Sequence, residues 1–481
     1  MSLKDKAVNG VAWNGIGNIA RQILLITTLV VLARLLTPED FGVYAILMIF
    51  VTFMNIFASM GTSQAVIHLD SPDKRMLSSI FYFNVSAGIF LFLALFFLAW
   101  PIAYFFENPA LINLLQIVGL SFVITTLSMV QKALFEKQMA FKIVIIIETF
   151  ALTISSIAGI VSALNNAGIY SLIIMTLSNS LLLTIGLWYA SKWKPSFLFA
   201  WQDIKTIWSY SLHLTGHSIV NHFARQSDQI LIGKFIGAGA LGMYSMAYKI
   251  MLYPLENISR VIVRVLFPAL SEIKDDNARF KAGYLKAISY VALFTFPLMI
   301  GLMAVAPDFV LVAFGDKWEG MAVLLMILAP VGLMQSIITT TGSIYMAKGS
   351  TGVMFKIGAI NSAVTVVAFL IGIPFGVQGV AIAYVIANIV MLYPNLHLAW
   401  QQIDLKVTEA ALELLPFFNA ALFMGIATYA LSVVFENIEL YLWLKLLLEV
   451  LSGAAIYVGI LMLFYRSLLL NMISKLKRNR T

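Results

Sequence analysis

Apolar runs of about 20 residues, repeated along nearly the whole chain, constrain the fold more than any other feature of this sequence. A helix of about 20 residues crosses roughly 30 Å of hydrocarbon, whereas a membrane β-strand needs about 10 residues in strict alternation, which these runs lack. Only 11% of the residues are charged, against about 25% in soluble domains. The sequence therefore predicts an all-α polytopic membrane protein and excludes a soluble fold.

About fourteen transmembrane helices fit the apolar runs, with charged loops between them. We expect them at about 12–35, 41–67, 78–105, 110–132, 143–164, 169–190, 207–236, 242–270, 284–306, 320–346, 354–373, 379–400, 413–435 and 440–465. Lys and Arg concentrate in every second loop and in the tail, so the positive-inside rule predicts that both termini are cytoplasmic. All nine Trp fall near predicted span ends or in loops, which is typical of an interfacial aromatic belt.

The sequence also repeats itself at offsets of about 200–214 residues. Segment 41–45 (FGVYA) matches 241–245 (LGMYS), and segment 141–143 (FKI) matches 355–357 (FKI). Six spans per repeat is an even number, so the two halves share an orientation and are related by a pseudo-two-fold axis along the membrane normal. We predict an N-terminal six-helix lobe at 1–200, a C-terminal six-helix lobe at 201–405, two further transmembrane helices at 406–466 and a basic cytoplasmic tail at 467–481.

Five cationic side chains lie inside predicted spans: Arg21, Arg225, Lys249, Arg260 and Arg264. A charge at the centre of the bilayer costs about 3 kcal/mol or more, so it usually faces a protein interior or a water-filled cavity. These cations outnumber the acids that we can place near them. The excess indicates that an anionic ligand completes the charge balance.

Polar residues at helical spacing accompany these cations on the first, second, seventh and eighth predicted spans. The candidate cavity-lining or sugar-contacting residues are Asn14, Asn18, Tyr44, Asn55, Asn221 and Tyr253, and the candidates for H⁺ or Na⁺ coupling are Asp228, Glu256 and His217. Polar residues of this kind also simply hold membrane helices together, so both interpretations stay open. The chain has no cysteine and its histidines lack a convincing third ligand, so we expect neither a metal nor another cofactor.

Segment 35–44 (LLTPEDFGVY) after the first span, its echo 236–244 (IGAGALGMY) and the paired six-helix halves resemble the multidrug/oligosaccharidyl-lipid/polysaccharide exporter superfamily. Over essentially its whole length the chain is similar to the bacterial polysaccharide-transporter branch, the exporters of the colanic acid and teichuronic acid type. The resemblance implies a flippase that carries an undecaprenyl-pyrophosphate-linked oligosaccharide from the cytoplasmic to the outer leaflet of the bacterial inner membrane by alternating access. Only the motif residues around Gly42 and Gly242 transfer directly from the family.

Two alternatives use other chemistry. A drug exporter of the same superfamily should have an acidic cavity, whereas this predicted cavity is net basic. A polysaccharide polymerase should carry a large extracytoplasmic domain, whereas the longest predicted outer loop, at about 307–319, is short. No nucleotide-binding or zinc-protease motif occurs, so we do not expect an enzyme. The expected partners are the lipid-linked oligosaccharide, the bilayer and polymerase or glycosyltransferase proteins of the same pathway, with no nucleic acid.

Overall fold

The computed structural model describes residues 20–59, 62, 66–67, 73–202, 204, 222, 226–437 and 439–466. Nearly all of these residues are helical, and no strand occurs among them. The predicted all-α class is therefore confirmed. Its physical basis is that a helix satisfies every backbone polar group within one segment, which a chain in hydrocarbon requires.

The helices follow one another with short connections. In the first half they are α1 (Pro38–Ser59), α2 (Lys74–Phe105), α3 (Ala110–Thr126), α4 (Met129–Lys137), α5 (Phe141–Leu164) and α6 (Tyr170–Ala190). Residues 20–35 and 226–235 are also helical. In the second half they are α7 (Ala238–Pro254), a π-helix (Leu255–Ser259), α8 (Arg260–Glu272), α9 (Asn277–Ala313), α10 (Glu319–Ile338), α11 (Thr341–Ala347), α12 (Thr351–Gly372), α13 (Gly376–Trp400), α14 (Val407–Glu436) and α15 (Leu442–Phe464).

Nine helical segments of the described chain are long and apolar enough to cross a membrane, or ten if α3 and α4, bent by 43°, form one span. One of the nine, Thr351–Ile403, has 53 residues, which is ~80 Å as a single straight helix and far exceeds a bilayer. This segment folds back on itself: Asn361 of α12 and Asn395 of α13 form two side-chain hydrogen bonds, of 2.7 and 2.9 Å. The number of fourteen spans is compatible with this count and stays a prediction.

The chain divides into two compact units, Met1–Gly242 and Met243–Thr481. Within the first unit α2 packs on α3, α5 on α6, and α3 on α6; within the second α9 packs on α10, α12 on α13, and α10 on α13. The same internal packing thus occurs in both units, as a repeated sequence requires. The lobe boundaries that we placed near 200 and 405 stay predictions.

The turns between helices repeat as well. Backbone conformations with positive φ recur 208–210 residues apart, at Glu107 and Gly315, Met139 and Gly349, and Asn166 and Gly376. Each pair follows equivalent predicted spans in the two halves. Since side chains disfavour this region of backbone space, its recurrence at matched turns is strong support for the internal repeat.

Two tryptophans correct the prediction of an interfacial belt. Trp318 and Trp400 are fully buried. Trp400 lies at the end of α13, as the sequence placed it, but its Nε1 donates a 3.1 Å hydrogen bond to the buried Tyr284 hydroxyl. A satisfied N–H allows the ring to be buried in the protein interior, so Trp400 packs in the hydrophobic core of the second unit instead of at the lipid headgroups.

Candidate functional site

Two glycines bring backbone directly against backbone where the first turn of α7 lies on the first turn of α1. A Cβ atom at Gly42 would stand 1.7 Å from the carbonyl oxygen of Ala238, and one at Gly242 would stand 1.8 Å from that of Pro38. The two positions are reciprocal, as expected from their place in the repeat. Small residues allow such close helix approach in membranes, which gives a physical reason for the FG-x-Y and LG-x-Y motifs.

A charged group that we call the Arg21 cluster (Arg21, Lys132 and Glu148) lies in the first unit. Arg21 is on helix 20–35, Lys132 on α4 and Glu148 on α5. Arg21 Nη1 forms an ion pair with Glu148 Oε2, and Lys132 Nζ lies 2.8 Å from Glu148 Oε1. All three side chains are partly buried. One carboxylate therefore serves two cations, and the cluster carries a net charge of +1.

This arrangement corrects one premise of the sequence analysis. Arg21 is not an unpaired cation, because Glu148 neutralises it from a helix that we had not included around the predicted cavity. A signal was present in the sequence, since Glu148 is the single acid between residues 143 and 164. An intramembrane acid calls for a partner as strongly as an intramembrane cation does. The excess of positive charge nevertheless persists locally, through Lys132.

The predicted polar residues of α1 differ in their surroundings. The Tyr44 hydroxyl is 2.9 Å from Thr176 Oγ1 of α6, so it holds two helices of the first unit together and keeps one further hydrogen-bonding position. Asn55, eleven residues along, is exposed. Asp228, on helix 226–235, is buried, and its Oδ1 accepts a 2.7 Å hydrogen bond from the backbone N–H of Gln229.

The eighth predicted span contains a break in regular helix. The π-helix Leu255–Ser259 directly follows Pro254, with Lys249 exposed before the break and Glu256 exposed within it. Proline removes one backbone donor from the helical ladder, and short π-segments occur frequently at functional sites. Asn257 Nδ2 donates to the Tyr253 carbonyl at 2.9 Å, which satisfies one acceptor there. The break separates Lys249 from the helix that carries the next two arginines.

Several predicted site residues lie outside the described residues: Asn14, Asn18, His217, Asn221 and Arg225. The backbones of Arg260 and Arg264 belong to α8, but their side chains are also outside the described part. That the five intramembrane cations face one cavity therefore stays a prediction. Among the described residues no group of three or more His, Cys, Asp or Glu side chains has the geometry of a metal site.

The class of protein follows from its helical fold. Its fold matches that of a lipid II flippase MurJ in an inward closed conformation with a TM-score of 0.78, over 95% of this chain and 100% of that chain, at 18% identity. Such a match at low identity describes the fold alone. The chain is thus a multi-pass helical membrane protein with the fold of that transporter.

The family follows from the sequence. Residues 31–323 match the family described as polysaccharide biosynthesis protein, and the chain belongs to that family. It is 27% identical over 471 residues to the teichuronic acid biosynthesis protein TuaB of Bacillus subtilis, covering 96% of this chain and 97% of the relative. It is 28% identical over 448 residues to the lipopolysaccharide biosynthesis protein WzxC of Escherichia coli, covering 91% and 90%. The resemblance to the polysaccharide-transporter branch is confirmed.

Proposed function

We propose that the chain is a flippase that moves an undecaprenyl-pyrophosphate-linked oligosaccharide from the cytoplasmic to the outer leaflet of a bacterial inner membrane. The transported unit would serve the biosynthesis of an exported or cell-surface polysaccharide. The family match, the two relatives named for polysaccharide biosynthesis and the fold shared with a lipid II flippase support a transporter and not an enzyme. Cytoplasmic termini and contact with polymerases or glycosyltransferases of the pathway belong to the same proposal.

The single structural observation that carries the proposal is the positive Arg21 cluster. A pyrophosphate headgroup is anionic and cannot enter hydrocarbon without counter-charge. Arginine offers a planar set of donors that matches phosphate oxygens in two parallel hydrogen bonds. Glu148 holds Arg21 when no substrate is bound, and the headgroup would then replace Glu148 at the guanidinium while Lys132 keeps the carboxylate. Binding becomes an exchange of one anion for another, and its reversal releases the substrate.

The other predicted residues fill supporting roles in this proposal. Further positive charge for the headgroup would come from Arg225, Lys249, Arg260 and Arg264, and contacts to the sugars from Asn14, Asn18, Tyr44, Asn55, Asn221 and Tyr253. Coupling to H⁺ or Na⁺ through Asp228, Glu256 or His217 would bias the two access states. Rocking of the two halves would move the headgroup across the membrane while the polyprenyl chain stays in lipid.

The decisive test is export by cells that depend on this chain for surface polymer. Arg21→Gln is expected to abolish surface polymer and to leave lipid-linked units in the inner leaflet, at unchanged protein level. Lys234→Gln is a matched control, because Lys234 on helix 226–235 also pairs with a glutamate at 2.7 Å, but that glutamate, Glu107, lies in an exposed turn. It should export normally. Wild-type polymer output from Arg21→Gln would refute the assignment of this arginine to the headgroup.

A binding measurement separates anion exchange from a merely structural ion pair. The probe is undecaprenyl pyrophosphate titrated into the purified chain in lipid nanodiscs. Glu148→Gln removes the competing anion and should tighten binding, while Arg21→Gln should weaken it. If Glu148 only supported the fold, Glu148→Gln would weaken binding as well, and that result would overturn the exchange.

A further inference from the structure

A second charged group occurs in the other unit, where α9, α14 and α15 pack against one another. We call it the Lys445 triad (Asp308, Lys445 and Glu449). Lys445 Nζ is 3.0 Å from Asp308 Oδ2 and 3.9 Å from Glu449 Oε1. Ser432 of α14 donates a 3.3 Å hydrogen bond to Asp308 Oδ2. The triad and Ser432 therefore join α9, which belongs to the repeated part of the chain, to α14 and α15.

Glu449 is the unusual member of the triad. Its side chain has 0% exposure, and neither of its carboxylate oxygens has a hydrogen-bond partner. The Thr428 hydroxyl of α14, which faces Gly453 one turn after Glu449, is also buried without a hydrogen-bond partner. Buried polar groups are nearly always hydrogen-bonded, and an ionised carboxylate without such bonds is particularly costly in an apolar surrounding. An ionised Glu449 carboxylate would thus have Lys445 Nζ, 3.9 Å away, as its counter-charge and no close hydrogen bond.

The charges of the triad indicate which ligand would compensate this carboxylate. Two carboxylates and one ammonium leave a net charge of −1 among buried side chains. The one further charged side chain within 4.0 Å of Lys445 Nζ in the described structure is Glu436, which is 66% exposed and also acidic. A single positive charge would neutralise the triad. The Lys445 ammonium already occupies the place of a cation between the carboxylates, so a metal ion would have to displace it. A proton on Glu449 removes the excess charge and supplies a donor at the same position.

We propose that the Lys445 triad is a proton-binding site in which Glu449 carries the proton, and that loading of this site is coupled to transport. The coupling part rests on the proposed flippase function. Glu436, the last residue of α14, is exposed and lies 4.0 Å from Lys445 Nζ, outside the buried triad. With the proton bound, the triad is neutral and suits dry packing of α15 against α9. Without it, the uncompensated charge favours hydration and loosens that contact.

Proton binding is tested without any substrate. The purified full-length chain in lipid nanodiscs is titrated by infrared spectroscopy from about pH 9 to about pH 4, a range that brackets documented buried glutamates. The protonated-carboxyl band of one buried group should disappear in Glu449→Gln. It should also disappear in Asp308→Asn, because Lys445 and Glu449 alone are neutral. Glu436→Gln, which alters an exposed carboxylate near the same lysine, should keep it. Retention of the band in either of the first two variants would overturn the proposal.

Coupling is tested separately by polymer export at different external pH values. Export by the wild type and by Glu436→Gln should depend on pH, and export by Glu449→Gln should lose that dependence. If the infrared band is lost but the pH profile of export is unchanged, the proton site is not coupled and the flippase function stands. If no variant or wild-type chain exports polymer, the flippase proposal fails while the infrared result remains valid. Should Glu449→Gln not fold, Asp308→Asn decides both measurements.

Discussion

The contact at Gly42 gives the sharpest stability prediction. In Gly42→Ala the new Cβ would lie 1.7 Å from Ala238 O and 2.5 Å from the Ala238 carbonyl carbon. A relaxed carbon–oxygen contact is about 3.2 Å or longer, so the two helix turns must move apart by about 1.5 Å. No side-chain rotation relieves the clash, because the obstructing atoms are backbone. Gly242→Ala, with its Cβ 1.8 Å from Pro38 O, meets the same obstacle from the other helix.

The magnitude follows from two opposing effects. Overpacking a close contact costs about 1–3 kcal/mol, and occasionally more. Replacing a helical glycine by alanine returns up to about 1 kcal/mol of helix propensity. Because the clash is with rigid backbone, we take the upper part of the first range and expect a net loss of about 2 kcal/mol for Gly42→Ala.

Gly239→Ala is the matched control. Gly239 lies in the same first turn of α7, but a Cβ there would have no atom within 4 Å. It should leave stability unchanged or raise it by up to about 1 kcal/mol. The assay is thermal unfolding of the purified variants in one detergent, with the loss of the monodisperse peak in size-exclusion chromatography as the readout. Equal transition temperatures for Gly42→Ala and Gly239→Ala would refute the close backbone contact.

Two further predictions concern the ion pair in the exposed turn and the buried core of the second unit. The hydrogen bond from Lys234 holds the pKa of Glu107 below its ordinary value, so the pair stabilises the fold at neutral pH and loses that effect as pH falls through the lowered value. The Tm difference between wild type and Glu107→Gln should therefore begin to shrink near the ordinary glutamate value of about pH 4 and vanish once the pH is below the lowered pKa, and a difference that persists in stronger acid would contradict this. Tyr284→Phe leaves the Trp400 N–H and a threonine hydroxyl at 2.6 Å without their buried partner, and should cost about 1–3 kcal/mol. Tyr429→Phe, at an exposed position, should be neutral in the same unfolding measurement, and equal stability of the two variants would rule out the buried network.

Local patterns in the sequence were sufficient to predict the helices and the repeat. An apolar run of about 20 residues requires helix in hydrocarbon whatever it packs against. Repeated motifs such as 41–45 and 241–245 likewise indicate the internal repeat directly from the sequence. The matched positive-φ turns and the equivalent packing in each unit agree with those motifs. These features depend on short segments, so no knowledge of distant contacts was needed.

The charged clusters depend on distant contacts and were only partly predictable. Arg21 and Glu148 are 127 residues apart in sequence, and Asp308 meets Lys445 from a separate helix. A single acid in an apolar span signals that some partner exists, but its position does not say which cation faces it. The same limit applies to Trp400, whose place at a helix end fits both a lipid interface and a buried hydrogen bond. Only the packed structure distinguishes these possibilities.

The two clusters have opposite charge defects, and this difference suggests how their roles divide. The Arg21 cluster has one cation more than it has acids, so it would attract the proposed anionic headgroup. The Lys445 triad has one acid more than it has cations, so the proposed proton would neutralise it. The positive Arg21 cluster attracts anions, which the negative Lys445 triad repels, and the reverse holds for cations. A single site shared by headgroup and proton is therefore disfavoured on electrostatic grounds. In the proposed cycle the headgroup and the proton therefore bind at separate places, and any coupling between them must pass through the helices. It follows that neutralising one cluster by mutation should leave ligand binding at the other intact while uncoupling the two.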